Sequence, residues 1–302
     1  MRATVACTAS LLLLVLPRRD VEGFRAQPWA GADTAILGKR GAARLSAVST
    51  EAATDSTTPA RESTWSNPGG EDLVHVEEGL WAAERPFIWN GIDVGGRMVV
   101  AKLSDGSLWV HSPVNLDPGL RAALDKLGPV RHIVSPNYEH VKYAGQWIEA
   151  YPEARSYACP GLAERTADVR FSSDVGNRPG DDSPPEWGGE IWACLLDCEA
   201  NPFTGRPFFN EVVFFHRPTK SLITADLYWN YPREAPFGTR LWKFGMDKVY
   251  LPFYKALMVT DRAAFEARVG EILGWGVETI VPCHGLVVRD GAVEALRCHL
   301  LG

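Results

Sequence analysis

The chain has 302 residues, 46% hydrophobic and 23% charged, which is ordinary globular composition and is sufficient to build a large buried core. The net charge is −6, and residues 1–70, with eight basic and six acidic residues, leave residues 71–302 with a net charge of −8. Because an acidic domain repels phosphate backbones, no nucleic-acid partner is expected, and length alone allows one or two domains.

The first element in the chain is an N-terminal leader. Arg2 precedes an apolar run over residues 9–16, which has the length of a signal-peptide core and is too short to span a bilayer. Residues 25–64 are rich in Ala, Ser, Thr and Arg without apolar periodicity, which predicts disorder. We therefore assign residues 1–70 to a targeting leader and disordered segment. Residues 71–302 are assigned to one folded domain, with no membrane span expected in the mature chain.

A signal peptide followed directly by a transit-like stretch resembles the bipartite plastid leader of algae with secondary plastids. Such leaders often carry a Phe just after the signal cleavage point, and Phe24 stands at that position. Glu22, which precedes Gly23, departs from the usual motif, which has a small residue there. The resemblance implies delivery to the plastid (chloroplast). A plain secretory signal followed by a linker, which implies a secreted protein, is the alternative.

Short apolar runs and helical stripes alternate through the folded part. The predicted strands in chain order are 73–76, 80–82, 98–103, 107–111, 131–134, 156–159, 191–196, 212–215, 222–225 and 279–281. The predicted helices are 118–127, 139–151, 261–274 and 289–301. Residues 172–188, rich in Gly, Pro and Asp, predict a long loop.

The order of these elements indicates the fold class. Hairpins come first, as at Asp105-Gly106, then strands and helices alternate, and a hairpin returns across residues 217–220. This order predicts a layered α/β sandwich rather than a doubly wound sheet. The sequence contains no glycine-rich phosphate loop at a strand-to-helix turn and no internal repeat.

Five of the six cysteines fall in the predicted domain. An odd, scattered set in a large domain is not the pattern of a disulfide framework. The expected role is that of small buried hydrophobic residues. Cys194 and Cys198 are four residues apart and form a candidate redox pair, although their segment is typical of a strand that runs into a loop.

Polar residues of ligand type follow three of the predicted strands. Ser135-Pro136-Asn137-Tyr138-Glu139-His140 follows the strand at 131–134, Asp226 follows 222–225, and His284 follows 279–281. Functional groups in α/β folds gather at strand ends, because the loops there are free of ladder constraints. Each residue alone is explained by capping or local hydrogen bonding, but the three together favour a shared site.

The order and strand context of these residues resemble the metallo-β-lactamase fold. In that fold a strand ends in a His-x-His-x-Asp-His run, a further His comes from a later loop, a lone Asp ends a hairpin strand, and a last His lies near the C-terminus. Residues 135–140, Asp226 and His284 align with these motifs over roughly residues 72–301. The resemblance implies an αββα sandwich and is closest to an uncharacterised branch with a domain of unknown function.

The first metal site of that family is eroded in this chain. Ser135 and Asn137 replace its two histidines, and no His occurs between Leu195 and Phe209, where the loop histidine is expected. Arg206 and Glu211 could supply polar contacts there, but a surface arginine and a strand-start glutamate are the favoured interpretation.

The second metal site keeps four candidate ligands, which the resemblance assigns to Glu139, His140, Asp226 and His284, with Asn137 as a further weak ligand. Two imidazoles and two carboxylates can bind one divalent ion such as Zn, Fe or Mn. Glu139 and Asp226 are the candidate catalytic residues, with Glu139 either a ligand or a general base. A metal-free domain is an equally open alternative.

Two functions follow from these alternatives. With one metal, the chain is a hydrolase-like enzyme that acts on a small ester, thioester or similar substrate. Without metal, it is a binding or scaffold protein that reuses the fold. A thiol-redox protein that uses Cys194 and Cys198 is a third hypothesis.

Overall fold

The computed structural model describes residues 61–176 and 183–302, and residues 1–60 of the leader, Phe24 included, lie outside them. The strands are Val74–Glu77 (β1), Leu80–Arg85 (β2), Ile88–Trp89 (β3), Ile92–Asp93 (β4), Gly96–Lys102 (β5), Leu108–His111 (β6), Val130–Ser135 (β7), Arg155–Ala158 (β8), Ser173–Asp174 (β9), Ile191–Leu196 (β10), Glu211–His216 (β11), Ser221–Asn230 (β12) and Thr279–Gly285 (β13). The α-helices are Pro118–Leu127 (α1), Ala144–Ala150 (α2), Phe237–Gly245 (α3), Leu251–Phe253 (α4), Arg262–Gly274 (α5) and Ala292–Leu301 (α6).

Two mixed sheets form the centre of the fold. The first has seven strands in the order β1-β2-β5-β6-β7-β8-β9, and the second has four in the order β10-β11-β12-β13. Strands β3 and β4 form a separate two-stranded hairpin. The pairs β6-β7, β7-β8 and β12-β13 are parallel, so the chain must cross over between them, and α1, α2 and α5 lie in those crossovers.

Three apolar layers confirm the αββα sandwich. Alternate residues of β5 point to opposite faces, so that Val99 packs between the two sheets while Met98 packs against α1 and α2. The outer face of the second sheet packs against α3, α5 and α6. Burial of both faces explains why β11 is apolar from Val212 to Phe215 instead of alternating. None of the helices in the described ranges combines the length and the apolar run needed to cross a bilayer.

Several predicted elements have the expected bounds. Helix α1 begins after the N-cap Asp117, whose side chain accepts a hydrogen bond from the amide of Leu120, and it ends at Gly128. The strand Ile191–Leu196 has the predicted ends. Both predicted hairpins form, β5 with β6 and β11 with β12.

Other elements differ from the sequence prediction. The helix predicted over 139–151 is confined to α2, because residues 139–143 form a turn instead. The strand predicted to end at residue 225 continues to Asn230, so Asp226 lies inside β12. The register of β12 against β13 is interrupted between Thr224 and Trp229, and this irregularity frees Asp226 from regular pairing.

A helical segment that the sequence analysis did not assign covers residues 237–258. It consists of α3, the π-helical turn Met246–Tyr250, α4 and the π-helical turn Tyr254–Met258. Gly245 and Pro252 interrupt any simple helical pattern there, since both disfavour helix interiors. Its buried side chains, which include Trp242 and Tyr250, pack against the second sheet.

The five domain cysteines are free thiols. Cys194 and Cys198 are both buried, and burial raises the pKa of each thiol to about 12. A buried thiol that stays protonated is a poor nucleophile, so these residues act as small core residues. The hypothesis of a redox pair has no support in this geometry.

Glu199 is a buried carboxylate that closes the loop between β10 and β11. It is 3% exposed, and its Oε1 accepts hydrogen bonds from the amides of Phe209 at 2.6 Å and Asn210 at 2.8 Å. Burial raises the pKa of Glu199 to about 7, although the two amides act in the opposite direction. Ionisation of this side chain therefore costs more in the folded chain than in the unfolded chain.

This cost predicts a specific pH dependence of stability. An unfolded glutamate ionises near pH 4.3, so folding loses free energy as the pH rises from there to about 7, where folded Glu199 ionises. Glu199→Gln keeps the accepting oxygen and removes the charge. Between pH 5 and pH 7.5, the free energy of unfolding measured in urea titrations should therefore decrease by about 3 kcal/mol less in Glu199→Gln than in the wild type. The exposed Glu153→Gln should follow the wild type, and parallel curves for all three proteins would contradict the assignment.

Candidate metal centre

Three side chains from three different elements meet at one point. His140 lies in the turn between β7 and α2, Asp226 lies in β12, and His284 lies in β13. Each offers one ligand-type atom, and these three atoms all lie within 4.8 Å of one another. The structure therefore brings together three of the four residues that the resemblance assigns to the second metal site.

Both imidazoles direct Nε2 toward the carboxylate of Asp226. His140 Nε2 lies 3.2 Å from Asp226 Oδ2, and His284 Nε2 lies 3.5 Å from Asp226 Oδ1. The two rings meet edge to face with centroids 5.3 Å apart. A carboxylate that faces two ring nitrogens is a compact set of electron-pair donors.

The opposite nitrogen of each ring is engaged by a second group. His284 Nδ1 donates to the backbone carbonyl of Gly95 at 2.8 Å, and His140 Nδ1 lies 2.6 Å from Ser112 Oγ. Because the carbonyl can only accept, a neutral His284 has its lone pair on Nε2, opposite an Asp226 oxygen. Two facing acceptors require a proton or a cation between them. Metal-binding histidines are oriented in this way, with the other ring N–H held by a carbonyl, so the residues fit a divalent ion.

The charges of this set reinforce one another. Burial opposes ionisation of Asp226, but His140 and His284 hold the pKa of its carboxyl well below the usual range. Burial opposes protonation of His284, but Asp226 and the Gly95 carbonyl raise the pKa of its imidazole. Asp226 is thus ionised at neutral pH, as a ligand must be.

Asn137 is fully buried and uses both ends of its amide. Its Nδ2 donates to Asp226 Oδ2 at 2.7 Å and to Glu211 Oε2 at 3.1 Å. Its Oδ1 accepts from the amides of Glu139 and His140 at 3.0 and 2.9 Å. These four bonds bring the turn after β7 into contact with β11 and β12. The amide predicted as a further weak ligand is saturated by protein atoms.

Glu211 is part of this network, which the sequence analysis missed by treating it as a strand-start glutamate. It is 2% exposed and accepts hydrogen bonds from the amides of Ala225, Asp226 and Leu227 at 2.7 to 3.0 Å. Burial and the charge of Asp226 raise the pKa of Glu211, while the amide donors lower it. The signal available was an acidic residue directly before the apolar run from Val212 to Phe215.

Glu139 lies apart from the three-residue group. It is exposed and is one of the residues that line the cleft, and it is not among the three residues whose ligand atoms lie within 4.8 Å of one another. Ser135, the other residue that replaces a histidine, is fully buried at the end of β7. Arg206, expected on the surface, is exposed.

The three-residue group forms part of the wall of a cleft with a volume of about 140 Å³. Its other walls are largely aromatic and apolar. They are formed by side chains of β3, β12 and α3 and of the residues next to these elements, among them Phe87, Trp89, Trp229, Tyr231, Trp242 and Met246. The sequence had placed aromatics after Asp226, and Trp229 and Tyr231 are among those that line the cleft. A cleft with this largely apolar lining and a few polar groups is suited to a small organic molecule.

The chain is similar in fold to solved metallo-β-lactamase structures. The chain is similar to the metallo-β-lactamase FIM-1 from Pseudomonas aeruginosa in its mono-zinc form, with 12% identity over 80% of this chain and 97% of that one and a TM-score of 0.51. It is similar to the DIM-1 metallo-β-lactamase, with 12% identity over 76% and 95% of the two chains and a TM-score of 0.52.

A third similar structure belongs to another class. The metal-soaked Flv1 flavodiiron core from Synechocystis sp. PCC6803 is 12% identical over 75% of this chain and 59% of that one, with a TM-score of 0.53. At these identities the likeness shows the metallo-β-lactamase fold alone. No curated protein matches the chain.

One family profile, described as "Domain of unknown function (DUF4336)", matches residues 77–246. The match covers more than half of the chain and includes residues 135–140 and Asp226, while His284 lies beyond it. The chain therefore belongs to the DUF4336 family, a domain of unknown function built on the metallo-β-lactamase fold.

Proposed function

We propose that His140, Asp226 and His284 hold one divalent metal and that the chain is a hydrolase of a small ester, thioester or similar bond. The observation that carries the proposal is the convergence of the three ligand atoms within 4.8 Å, with both Nδ1 atoms already engaged elsewhere. Two imidazoles and a carboxylate suit Zn, Fe or Mn. The cleft in front of them has the apolar and aromatic lining typical of a small-molecule site.

Different protein groups would orient the ligands of that ion, bind the substrate and transfer a proton. A divalent ion held there supplies a Lewis acid that polarises a carbonyl oxygen and acidifies water. Gly95 and Ser112 keep the two imidazoles oriented, and Asn137 keeps Asp226 in place. The apolar walls hold the substrate body and exclude bulk water. Glu139, exposed on the cleft wall, is the group positioned to take a proton.

A metal-free binding protein is the second candidate function. The observation that favours it is the Asn137 amide, which bridges Asp226 and Glu211 and so satisfies part of the site without any ion. The same cleft would then bind a small molecule without chemistry.

Metal content separates the two candidates. Full-length protein, purified without chelator or affinity nickel, should carry close to one divalent ion per chain by mass spectrometry. His140→Ala and His284→Ala should each lose most of it, since each removes one of three ligands. The exposed His75→Ala should retain it. Wild-type protein that holds no metal and shows no thermal shift with Zn, Mn or Fe would leave the binding protein as the function.

The role of Glu139 can be tested separately. If Glu139 is a general base, Glu139→Gln should keep the metal and lower kcat on chromogenic ester and thioester substrates by roughly 100-fold. Glu149→Gln, an exposed glutamate on the neighbouring helix, should leave kcat unchanged. Loss of metal in Glu139→Gln would make Glu139 a ligand instead.

We also propose a plastid location, which rests on the leader sequence alone. A fluorescent protein fused behind residues 1–70 should accumulate in the plastid of an alga with secondary plastids. The same fusion with residues 9–16 replaced by polar residues should stay outside it, since that run is the proposed signal core. Fluorescence in the medium would favour the secretory alternative.

A further inference from the structure

Large apolar side chains are exposed on the outer sides of two elements whose inner sides line the cleft. Phe237 and Phe244 on α3 are 70% and 60% exposed, and Ile88 on β3 is 62% exposed. Their neighbours Trp89 and Trp242 face inward and line the cleft. The outer positions are therefore not part of the core or of the cleft, and folding alone does not explain them.

Phe237 and Phe244 share one face of α3, and the hairpin that carries Ile88 is held against the start of that helix. Phe237 and Phe244 are seven residues apart in a helix, which places them on the same face. Thr239 Oγ1 donates to the Asp93 carbonyl at 2.8 Å, and Asp93 pairs with Ile88 in the β3-β4 hairpin. The hairpin and the start of α3 are thus held together. We call this surface, with Ile88, Phe237, Arg240, Phe244 and Lys248, the aromatic-basic face.

The charge of this face is opposite to that of the chain. Residues 233–257 contain five basic and two acidic residues, a net charge of +3 in a chain of net charge −6. Lys243 pairs with Asp247, and Lys255 donates to backbone carbonyls at the end of α6. Arg240 and Lys248 are exposed, and no ion pair within residues 61–176 and 183–302 involves either of them.

Exposed aromatic rings beside unpaired cations fit a partner that is apolar inside and anionic at its surface. An anionic lipid bilayer has this chemistry, because the rings enter the interfacial region while Arg and Lys meet the headgroups. A second copy of the chain fits poorly, since twofold contact through this face would bring Arg240 and Lys248 against their own like charges. A nucleic acid would meet the cations but would not bury the rings.

We propose that the aromatic-basic face docks the protein on an anionic membrane surface. Docking places the β3-β4 hairpin and α3 at the lipid interface, with the cleft directly behind them. The proposal concerns this surface alone and holds whether or not a metal binds at Asp226.

Vesicle binding of the full chain tests the proposal. Wild-type protein should co-sediment with vesicles of phosphatidylcholine and phosphatidylglycerol, and binding should fall with salt and on pure phosphatidylcholine. Phe237→Ser with Phe244→Ser should weaken binding roughly tenfold or more, because two buried rings are lost. Arg240→Gln with Lys248→Gln should weaken binding to the anionic vesicles and reduce its salt dependence.

Matched variants on other surfaces provide the controls. Phe203→Ser removes an equally exposed ring, and Lys126→Gln with Arg131→Gln removes two exposed cations. All three changes should leave binding unchanged. Far-ultraviolet dichroism and melting temperature of each variant check that the fold is retained.

Amide hydrogen exchange locates the contact. Vesicles should slow exchange in the peptides that cover residues 86–95 and 237–249. Binding with no protection there, as the leader alone would cause, overturns the proposal, as does binding that survives the paired Phe change. The proposal is also overturned if wild-type protein does not bind the vesicles but self-associates through the aromatic-basic face or binds an acidic protein with that face.

Discussion

The carboxylate of Asp226 is the constraint on which the centre of this fold depends. It is a largely buried negative charge, and an isolated buried charge is too costly to keep. The groups that compensate for it come from distant parts of the chain: Asn137 and His140 from the turn after β7, and His284 from β13. Its neutralisation therefore ties both sheets together at one end of the sandwich.

A second carboxylate, that of Glu211, lies behind the first, and hydrogen bonds hold it at the place where the resemblance implies the first metal site of the fold. Glu211 receives three backbone amides of β12 and one N–H of Asn137. In the family that the chain resembles, histidines at this place hold a cation. Here one amide, with two donor hydrogens aimed at two carboxylates, performs the neutralising role by hydrogen bonds. The remaining pair, His140 and His284, faces the open cleft, where an ion can reach it.

The sequence predicted those parts of the fold in which local chemistry and burial agree. Helix α1, with its Asp117 cap and Gly128 stop, and the hairpin at Asp105-Gly106 follow from patterns of a few residues. The convergence of His140, Asp226 and His284 followed from strand ends and family resemblance, and three-dimensional proximity agrees with it. The cap, stop and turn signals are local, and the motif depends only on the order of its residues along the chain. Neither kind of signal requires knowledge of packing.

The elements that were missed depend on contacts between distant residues. The helical segment 237–258 contains Gly245 and Pro252, and only its packing on the second sheet stabilises it. Glu211 has the same local sequence signal as a surface glutamate. What distinguishes it is a break in the β12 register fourteen residues away, which turns three amides toward it. Neither feature can be identified from a short stretch of sequence alone.

The N-terminal side of the site shows the same dependence on distant contacts and bears on where the folded domain begins. Gly95 adopts φ +62°, and a Cβ there would lie 2.8 Å from the Trp65 ring, so the two pack as closely as a glycine allows. The Gly95 carbonyl orients His284, and Tyr231, which stacks on His284, also contacts Trp65 with centroids 6.2 Å apart.

Arg61 bridges Asp72 and the helix cap Asp117. Residues 61–70, assigned to the leader from composition, thus support the position of His284. We therefore propose that the boundary between leader and domain lies upstream of Arg61, because a domain that began at residue 71 would leave Gly95 and Tyr231 without the ring that packs on both.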